Sequence, residues 1–229
     1  MDDDIMNAKD FILEINKKID EKSILKHPFY QQWKSGKLTR AMLQHYAKQY
    51  YKHVSAFPRY LSSVHSKVTD QNDRQLILQN LIDEENGEKN HPNLWMQFGE
   101  ALNLKRDEIE KAQPADETIQ FVSHFLNSTG RSVAEGIAAL YTYESQIPEV
   151  SHEKIKGLVD FYGVATAEGL EYFEVHEKAD VEHSRAEIGL LAKYAKDGQT
   201  QKMALKAVDE TLDAYWNMLS GVQKAFMQC

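Results

Sequence analysis

Turn-forming residues are scarce in this sequence, and their scarcity limits the folds that the chain can adopt. Its 229 residues include only 11 glycines and 5 prolines, so long runs pass without a residue that favours a turn. Within these runs apolar residues recur at helical spacing, as from Ile5 to Ile19, and no run shows sustained alternation of period two. The sequence therefore predicts an all-α fold with eight or more helices, in a single domain spanning residues 1–229.

Capping residues and prolines place the expected helix boundaries. Thr39 is suited to begin a long helix that Pro58 bends or splits. A break is expected near Gly87 and a second at Pro92, and Pro148 is expected to end a helix. The expected helical runs are 5–20, 23–33, 39–66, 70–103, 105–112, 115–129, 131–146, 149–162, 166–195 and 199–225.

Charge and cysteine content argue against several classes of protein. The chain carries 27 basic and 35 acidic side chains, a net charge of −8, and no clustered basic stripe, which disfavours nucleic acid or an anionic membrane as a partner. Because the only cysteine is Cys229, no disulfide forms within the chain and no mid-chain thiol serves as a nucleophile. The first residues lack the basic and apolar regions of a signal peptide, and no run of about 18 apolar residues is present to span a membrane. We therefore expect a cytoplasmic protein.

The run from residue 166 to residue 195 carries a stripe of metal-ligand side chains. On a helix, His176 and Asp180 differ by about 40° around the axis, and His176 and His183 by about 20° in the other direction. Tyr172 continues the stripe one turn earlier. Asp180 and His183 form a D-x-x-H pair, close in geometry to the E-x-x-H pair of di-iron bundle proteins. Two imidazoles and a carboxylate are also the ligands of non-haem iron.

Three further residues offer ligands of the same types on other helices. Glu84 and His91 are seven residues apart, which places them on one face of an unbroken helix, although Gly87 lies between them. Glu144 lies in a largely apolar run, where a carboxylate is costly to bury unless it is paired or bound to a metal. Three carboxylates and three histidines are too many for one zinc ion and suit two ions that each take about five or six ligands. Spacing alone leaves open whether these side chains bind metal or are ordinary polar residues of helices.

The other histidines, and the glutamates beside these candidates, are read as structural or solvent-exposed residues. A lone histidine on a helix usually lies at the surface or is satisfied in the core. The tyrosines, 11 in number, are read as core residues as a class. The histidines and glutamates given this reading are His27, His45, His53, His65, His124, His152, Glu85, Glu88, Glu177 and Glu182.

Seven short segments, in a fixed order, carry a resemblance to a known family. They are HPFYQQW at 27–33, YAKQYY at 46–51, AFPRYL at 56–61, DEENG at 83–87, YESQIP at 143–148, EKIKGL at 153–158 and the stripe at 176–183. They closely resemble the family named Chlamydia protein associating with death domains (CADD). The resemblance covers roughly residues 8–220 with similar spacing, which is more specific than any single motif. Wider relatives are the haem-oxygenase-like di-iron oxidases and, more distantly, the pyrroloquinoline-quinone synthase C and TenA proteins.

The resemblance implies a fold and a cofactor. Proteins of the CADD type have a fold similar to that of haem oxygenase. For this chain the resemblance implies a bundle of seven to nine helices with a buried dimetal site that uses O2. Every ligand position of the family is matched in this chain, and two iron-type ions, Fe/Fe or Mn/Fe, are expected. The implied ligands are Glu84, His91, Glu144, His176, Asp180 and His183.

The resemblance also implies an activity. Proteins of the CADD type are understood to make p-aminobenzoate, the folate precursor, by cutting it out of their own tyrosine side chain with O2 and an external reductant. The sacrificed tyrosine matches Tyr30, and the lysine proposed to donate the amino group matches Lys154. Tyr143 and Tyr172 match tyrosines near the metal site and are expected to relay electrons. A homodimer is expected because relatives of this fold commonly dimerise, whereas binding to death domains has no readable signal in this sequence.

The sequence favours or disfavours four other functions to different degrees. A dimetal oxidase acting on a separate small molecule, such as an amino acid or a fatty acid, would use the same ligands. Metal-free chemistry of the quinone-synthase type is disfavoured by the three matching carboxylates, and thiamin salvage of the TenA type is disfavoured because the only cysteine is Cys229. A protein that binds death domains without catalysis is neither supported nor opposed by the acidic composition.

Overall fold

Every regular element is helical over the part of the chain that the structure describes. In this computed structural model the described residues are 5–226, so Cys229 and the first four residues lie outside them. The predicted all-α fold is confirmed, and the expected runs 39–66 and 70–103 are each split into two helices. A short 3₁₀ turn, Ile24–Lys26, joins the first two α-helices. The α-helices are α1 (Ala8–Glu21), α2 (Pro28–Lys34), α3 (Arg40–Val54), α4 (Phe57–His65), α5 (Gln71–Glu85), α6 (His91–Ala101), α7 (Arg106–Glu110), α8 (Asp116–Gly130), α9 (Val133–Glu144), α10 (Ile147–Asp160), α11 (Ala167–Tyr194) and α12 (Gly198–Lys224).

Pro58 splits the long run that begins at Thr39. The Thr39 hydroxyl accepts a hydrogen bond from the backbone N–H of Met42 and so caps α3. Helix α3 ends at Val54, and Pro58 lies in the first turn of α4. A proline is tolerated there because the first N–H groups of a helix have no acceptor within the helix. The predicted split is therefore confirmed.

Pro92 and Pro148 begin helices rather than end them. Pro92 lies in the first turn of α6 and Pro148 in the first turn of α10. The expectation that Pro148 ends a helix is wrong, because α9 has already ended at Glu144 and proline is well suited to the start of the next helix. The break near Gly87 is present, and Gly87 has a φ of 75° that glycine adopts without strain. The second break expected at Pro92 is instead the end of this single break.

Helix α9 lies at the centre of the bundle. It packs against α8, α11 and α12, and every residue from Ala134 to Glu144 is buried. Helix α11 packs in turn against α6, α9 and α10, while α5 packs against α4 and α6. This arrangement brings the C-terminal ends of α5 and α9 and the first residue of α6 to the middle of α11.

Helices α11 and α12 are long amphipathic elements of 28 and 27 residues. Along α11, buried side chains recur every three or four residues from Tyr172 to Leu191, so one face of the helix points into the bundle. Among residues 5–226, no helix combines the length and the apolar character needed to cross a membrane.

Candidate metal centre

The six candidate ligands converge in two groups of three. Within each group, one nitrogen or oxygen atom from every residue lies within 4.8 Å of those from the other two, and all six side chains are buried. The two groups share α11, which contributes one residue to the first group and two to the second. The first group is Glu84, His91 and His176, and the second is Glu144, Asp180 and His183.

The first group depends on the break between α5 and α6. Glu84 lies in the last turn of α5 and His91 is the first residue of α6, so the chain turns between them and both side chains face α11. His91 Nδ1 lies 2.8 Å from a carboxylate oxygen of Glu84. His176 Nδ1 donates a hydrogen bond to the backbone carbonyl of Tyr172 at 2.6 Å, which leaves Nε2 of that ring free to bind a metal ion.

The second group is held by two side chains that spacing did not single out. His183 Nδ1 lies 3.4 Å from a carboxylate oxygen of Asp180 and 3.9 Å from one of Glu144. On the other side of the ring, His183 Nε2 donates to Asp83 at 3.1 Å. Asn80 donates its amide N–H to both oxygens of Glu144, at 2.9 and 3.3 Å. Such outer partners fix the orientation of ligands in metal sites.

Several buried atoms of this centre lack a hydrogen-bond partner among the described residues. They are both carboxylate oxygens of Asp180 and the Nδ1 atoms of His91 and His183, and these two nitrogens lie near carboxylates without the angles of a hydrogen bond. An unpartnered polar atom in the interior is costly, and an unpaired charge is more costly still. A cation between these oxygens and nitrogens would remove that penalty, and carboxylate and imidazole are ligands of iron and manganese. The side chains present therefore fit a centre of two such ions.

Burial shifts the proton affinities of both groups. It raises the pKa of Asp180 to about 7 and also raises the pKa of Glu144. Burial lowers the pKa of His183, but contacts with Asp180 and Glu144 outweigh this effect and raise the pKa to about 9. Burial, with the neighbouring His91, holds the pKa of His176 well below its usual range, so that its ring is neutral. The second group thus favours added positive charge, which a metal ion supplies in place of protons.

Tyr30 and Lys154 lie together in an aromatic interior. Lys154 Nζ is 5.7 Å from the centre of the Tyr30 ring, and 5.3 and 5.0 Å from the rings of Tyr46 and Tyr50. Both Tyr30 and Lys154 are buried. Burial lowers the pKa of Lys154 to about 7, because an ammonium ion loses its hydration there.

Tyrosine side chains connect Tyr30 with the interior around α9. The Tyr30 hydroxyl is 3.5 Å from that of Tyr46, and the Tyr46 and Tyr50 rings are 5.2 Å apart. The Tyr50 hydroxyl lies 2.6 Å from that of Tyr143 and 2.9 Å from that of Tyr215. From the sequence, Tyr46, Tyr50 and Tyr215 are expected only to be core residues, although the four-residue spacing of the first two on α3 already indicates one shared face.

Tyr143 and Tyr172 complete the connection to the candidate ligands. Both line a small cavity between the two ligand groups, together with Glu84, Glu144, His176 and Asp180. The centre of the Tyr172 ring lies 4.1 Å from the centre of the His176 ring and 6.1 Å from that of the His91 ring. The six ligand candidates, Tyr30 and Lys154 are therefore joined through buried aromatic side chains.

Two other features border the centre. His53, read from the sequence as structural, lines the small cavity and packs against Tyr143 at 4.7 Å between rings. Burial lowers the pKa of His53 to about 3, so its ring is neutral. A second cavity of about 310 Å³, lined mainly by apolar side chains of α4, α5, α9 and α11, borders His183, Asn80 and Glu187.

Comparison with known proteins gives close relatives over almost the whole chain. The chain is 43% identical to the 4-aminobenzoate synthase of Chlamydia muridarum over 213 residues, which cover 93% of this chain and 89% of that one. It is 39% identical to the 4-aminobenzoate synthase of Nitrosomonas europaea, with 96% and 94% of the two chains covered.

A solved structure and a family description agree with these relatives. A domain from Shewanella denitrificans described as having a heme oxygenase-like fold matches with a TM-score of 0.80 at 14% identity, over 97% of this chain and 94% of that one. It supports the fold that the resemblance implied. The model of the family described as TENA/THI-4/PQQC matches this chain over residues 15–221. As the resemblance predicted, this chain belongs to the TENA/THI-4/PQQC family, and its relatives include 4-aminobenzoate synthases.

Proposed function

We propose that this protein is a 4-aminobenzoate synthase, an O2-dependent oxygenase that uses two metal ions and makes its product from its own Tyr30. The observation that carries the proposal is 43% identity to an enzyme of that name across 93% of this chain. The placement of Tyr30 beside Lys154, and of tyrosines between them and the ligand groups, supports the origin of the product in the chain itself.

The product and the tyrosine side chain define what must change. In 4-aminobenzoate a benzene ring carries a carboxyl group and, opposite it, an amino group. The tyrosine ring and its Cβ supply the ring and the carboxyl carbon, provided that the Cα–Cβ bond is cleaved and Cβ is oxidised. An amino group replaces the phenolic oxygen, which leaves as water. Lys154, with Nζ 5.7 Å from the ring centre, is the proposed nitrogen donor, so its Cε–Nζ bond must also be cleaved in the oxidation by O2.

The candidate ligands prepare the site for this oxidation. The carboxylates of Glu84, Glu144 and Asp180 offset the charge of two cations in a buried region. Two bound iron-type ions, Fe/Fe or Mn/Fe, would supply electrons to O2, and an external reductant would restore them. Asp83 and Asn80 hold His183 and Glu144 in place.

Lys154 and the tyrosines around it donate nitrogen and transfer protons and electrons to and from Tyr30. With a pKa lowered to about 7 by burial, a large fraction of Lys154 is a neutral amine near neutral pH, which has the lone pair that a nucleophile needs. The Tyr50 hydroxyl, 2.6 Å from that of Tyr143, can hold or pass a proton between them. Tyr143 and Tyr172 line the small cavity between the ligand groups, which supports a role for both as electron relays to Tyr30.

The experiment that tests this function follows the product and the chain together. Protein loaded anaerobically with Fe(II) receives O2 and a reductant, and mass spectrometry measures 4-aminobenzoate and the mass of the segment that contains Tyr30. We expect about one product per chain at most, a carbon label from ring-labelled tyrosine in the product, and no product from Tyr30→Phe. Tyr51→Phe, a tyrosine of α3 outside the connection, is the matched control. Equal product from Tyr30→Phe protein would contradict the origin in Tyr30.

A second candidate function has one observation in its favour. The cavity of about 310 Å³ that borders His183 could admit a separate small molecule. A dimetal oxidase of this kind would give many products per chain and leave the mass of the chain unchanged, so the same experiment separates the two functions.

The expected partners are tested separately. A homodimer should appear by light scattering of the purified protein, and a monomer at micromolar concentration would contradict it. Binding to a purified death domain, in the presence and in the absence of metal, tests the association for which the CADD family is named. A cytoplasmic location remains a prediction from the sequence.

A further inference from the structure

Glu187 continues the ligand stripe of α11 by one turn. It follows His183 by four residues, and on a helix it lies about 20° around the axis from His176. Only 6% of its surface is exposed. Neither of its carboxylate oxygens has a hydrogen-bond partner among the described residues. Sequence alone does not distinguish Glu187 from a solvated residue, because most glutamates on amphipathic helices are exposed.

The surroundings of Glu187 are acidic. Its carboxylate is in contact with that of Glu144 and interacts electrostatically with Asp180. Two ionised carboxylates have no proton to share, so the contact between Glu144 and Glu187 is repulsive unless a proton or a cation lies between them. Asn80 donates to Glu144, but the oxygens of Glu187 receive no such donor.

The position of Glu187 relative to the two cavities is also specific. Glu187 and His183 both line the cavity of about 310 Å³, while Glu144 and Asp180 line the small cavity between the ligand groups. Glu187 therefore stands between the second ligand group and the larger cavity. Glu187 stands outside the three residues whose ligand atoms lie within 4.8 Å of one another, but its contact with Glu144 brings its carboxylate to the edge of that group.

We propose that Glu187 is a fourth protein ligand of the second metal ion, together with Glu144, Asp180 and His183. The second ion then has three carboxylates and one imidazole, whereas the first has one carboxylate and two imidazoles. A divalent cation bound by both Glu144 and Glu187 attracts each carboxylate and offsets the repulsion between them. This accounts for a buried carboxylate without a hydrogen-bond donor. This inference rests on the dimetal part of the proposed function and not on the identity of the product.

The test compares Glu187→Gln with the wild type, without metal and with Fe(II) added anaerobically. Without metal, the variant should unfold at a temperature no lower than that of the wild type, because its amide can donate a hydrogen bond to the Glu144 carboxylate. With Fe(II), the metal-induced rise in unfolding temperature should be smaller than in the wild type. Equilibrium dialysis with metal analysis should show one tight ion and a second ion weakened by about tenfold or more.

Matched variants identify the cause. Glu182→Gln changes an exposed glutamate on the same helix that borders the same cavity, and it should bind two ions as the wild type does. Glu187→Asp keeps a carboxylate on a shorter side chain and should bind the second ion more tightly than Glu187→Gln. A Glu187→Gln protein that binds two Fe(II) ions with wild-type affinity would overturn the inference.

A direct structural readout completes the test. In a crystal soaked with Fe(II), anomalous scattering should place the second ion within bonding distance of a Glu187 oxygen, and a separation beyond bonding distance would overturn the assignment. If the wild type binds two ions through Glu187 but makes no 4-aminobenzoate, the proposed function fails and the ligand assignment stands. If 4-aminobenzoate forms but the second ion is bound without Glu187, the ligand assignment fails and the proposed function stands.

Discussion

Lys154 should titrate near neutral pH, and the formation of 4-aminobenzoate should follow that titration. Burial lowers the pKa of Lys154 to about 7, and only the neutral amine can attack carbon. With this pKa, the neutral fraction rises from about 10% at pH 6 to about 90% at pH 8, whereas an unperturbed lysine is neutral in well under about 0.1% of molecules at pH 7. The rate of a single turnover should therefore rise about tenfold from pH 6 to pH 8 and then level off.

The same shift has a consequence for stability. The unfolded chain holds this proton up to the ordinary pKa of 10.5, and the folded protein only up to about 7, so the unfolded state binds more protons between these values. Stability therefore rises with pH across this window, and at pH 7 the buried lysine costs about 4 kcal/mol, at about 1.4 kcal/mol per pKa unit. Lys154→Met fills similar space without a charge and should raise the free energy of unfolding at pH 7 by up to about that amount, and by little at pH 10.

Three measurements test the behaviour of Lys154. Lysine labelled with ¹³C at Cε gives an NMR titration, in which the signal of Lys154 is assigned by its absence in Lys154→Met. Single-turnover kinetics of the protein loaded with Fe(II) give the rate at each pH. Denaturant unfolding gives the free energy of unfolding. Lys156→Met, an exposed lysine two residues away, should change neither the rate profile nor the stability. A Lys154 signal that titrates above about pH 9, or equal rates at pH 6 and pH 8, would refute the reasoning.

Other side chains make independent predictions. Tyr50→Phe removes hydroxyl contacts of 2.6 and 2.9 Å, so the free energy of unfolding should fall by about 1–3 kcal/mol; product should fall while metal analysis still finds two ions, and an unchanged yield would exclude Tyr50 from the relay. Asp83→Asn weakens the acceptor 3.1 Å from His183 Nε2 and should lower iron affinity by about 10- to 100-fold in anaerobic dialysis. Chains that have reacted lack the fully buried Tyr30 side chain and should unfold about 3–5 kcal/mol more easily than before turnover. Tyr30→Phe protein exposed to the same reagents should keep its stability.

Local spacing predicts part of the centre because one helix carries half of it. His176, Asp180 and His183 follow the helical repeat of α11, and no knowledge of the fold is needed to place them on one face. Glu187 follows the same repeat, but its burial arises from packing against other helices and cannot be read from α11 alone. Glu84, at the end of α5, meets its group only after the chain turns before α6.

Tyr30 and Lys154 come together through a contact between distant segments, so only the family resemblance could single them out from the sequence. Tyr30 lies on α2 and Lys154 on α10, and neither segment has a spacing pattern that points to the other. The contact exists because α2 packs against α10, with the Trp33 indole N–H donating to the backbone carbonyl of Lys154 at 3.3 Å. Propensity and periodicity describe single helices, so they predict which faces are buried and not which faces meet.

The interior separates charge in a way that the proposed chemistry requires. The carboxylates of Glu144 and Asp180 lie where cations are expected, whereas aromatic rings surround Lys154 Nζ at 5.0 to 5.9 Å. A carboxylate beside Lys154 would hold its proton and remove its nucleophilicity, and a lysine among the ligands would oppose metal binding. Tyrosine can connect the two regions because burial raises the pKa of Tyr50 and of Tyr143 well above the usual range. These hydroxyls stay protonated, so they can transfer a hydrogen without leaving a buried charge behind.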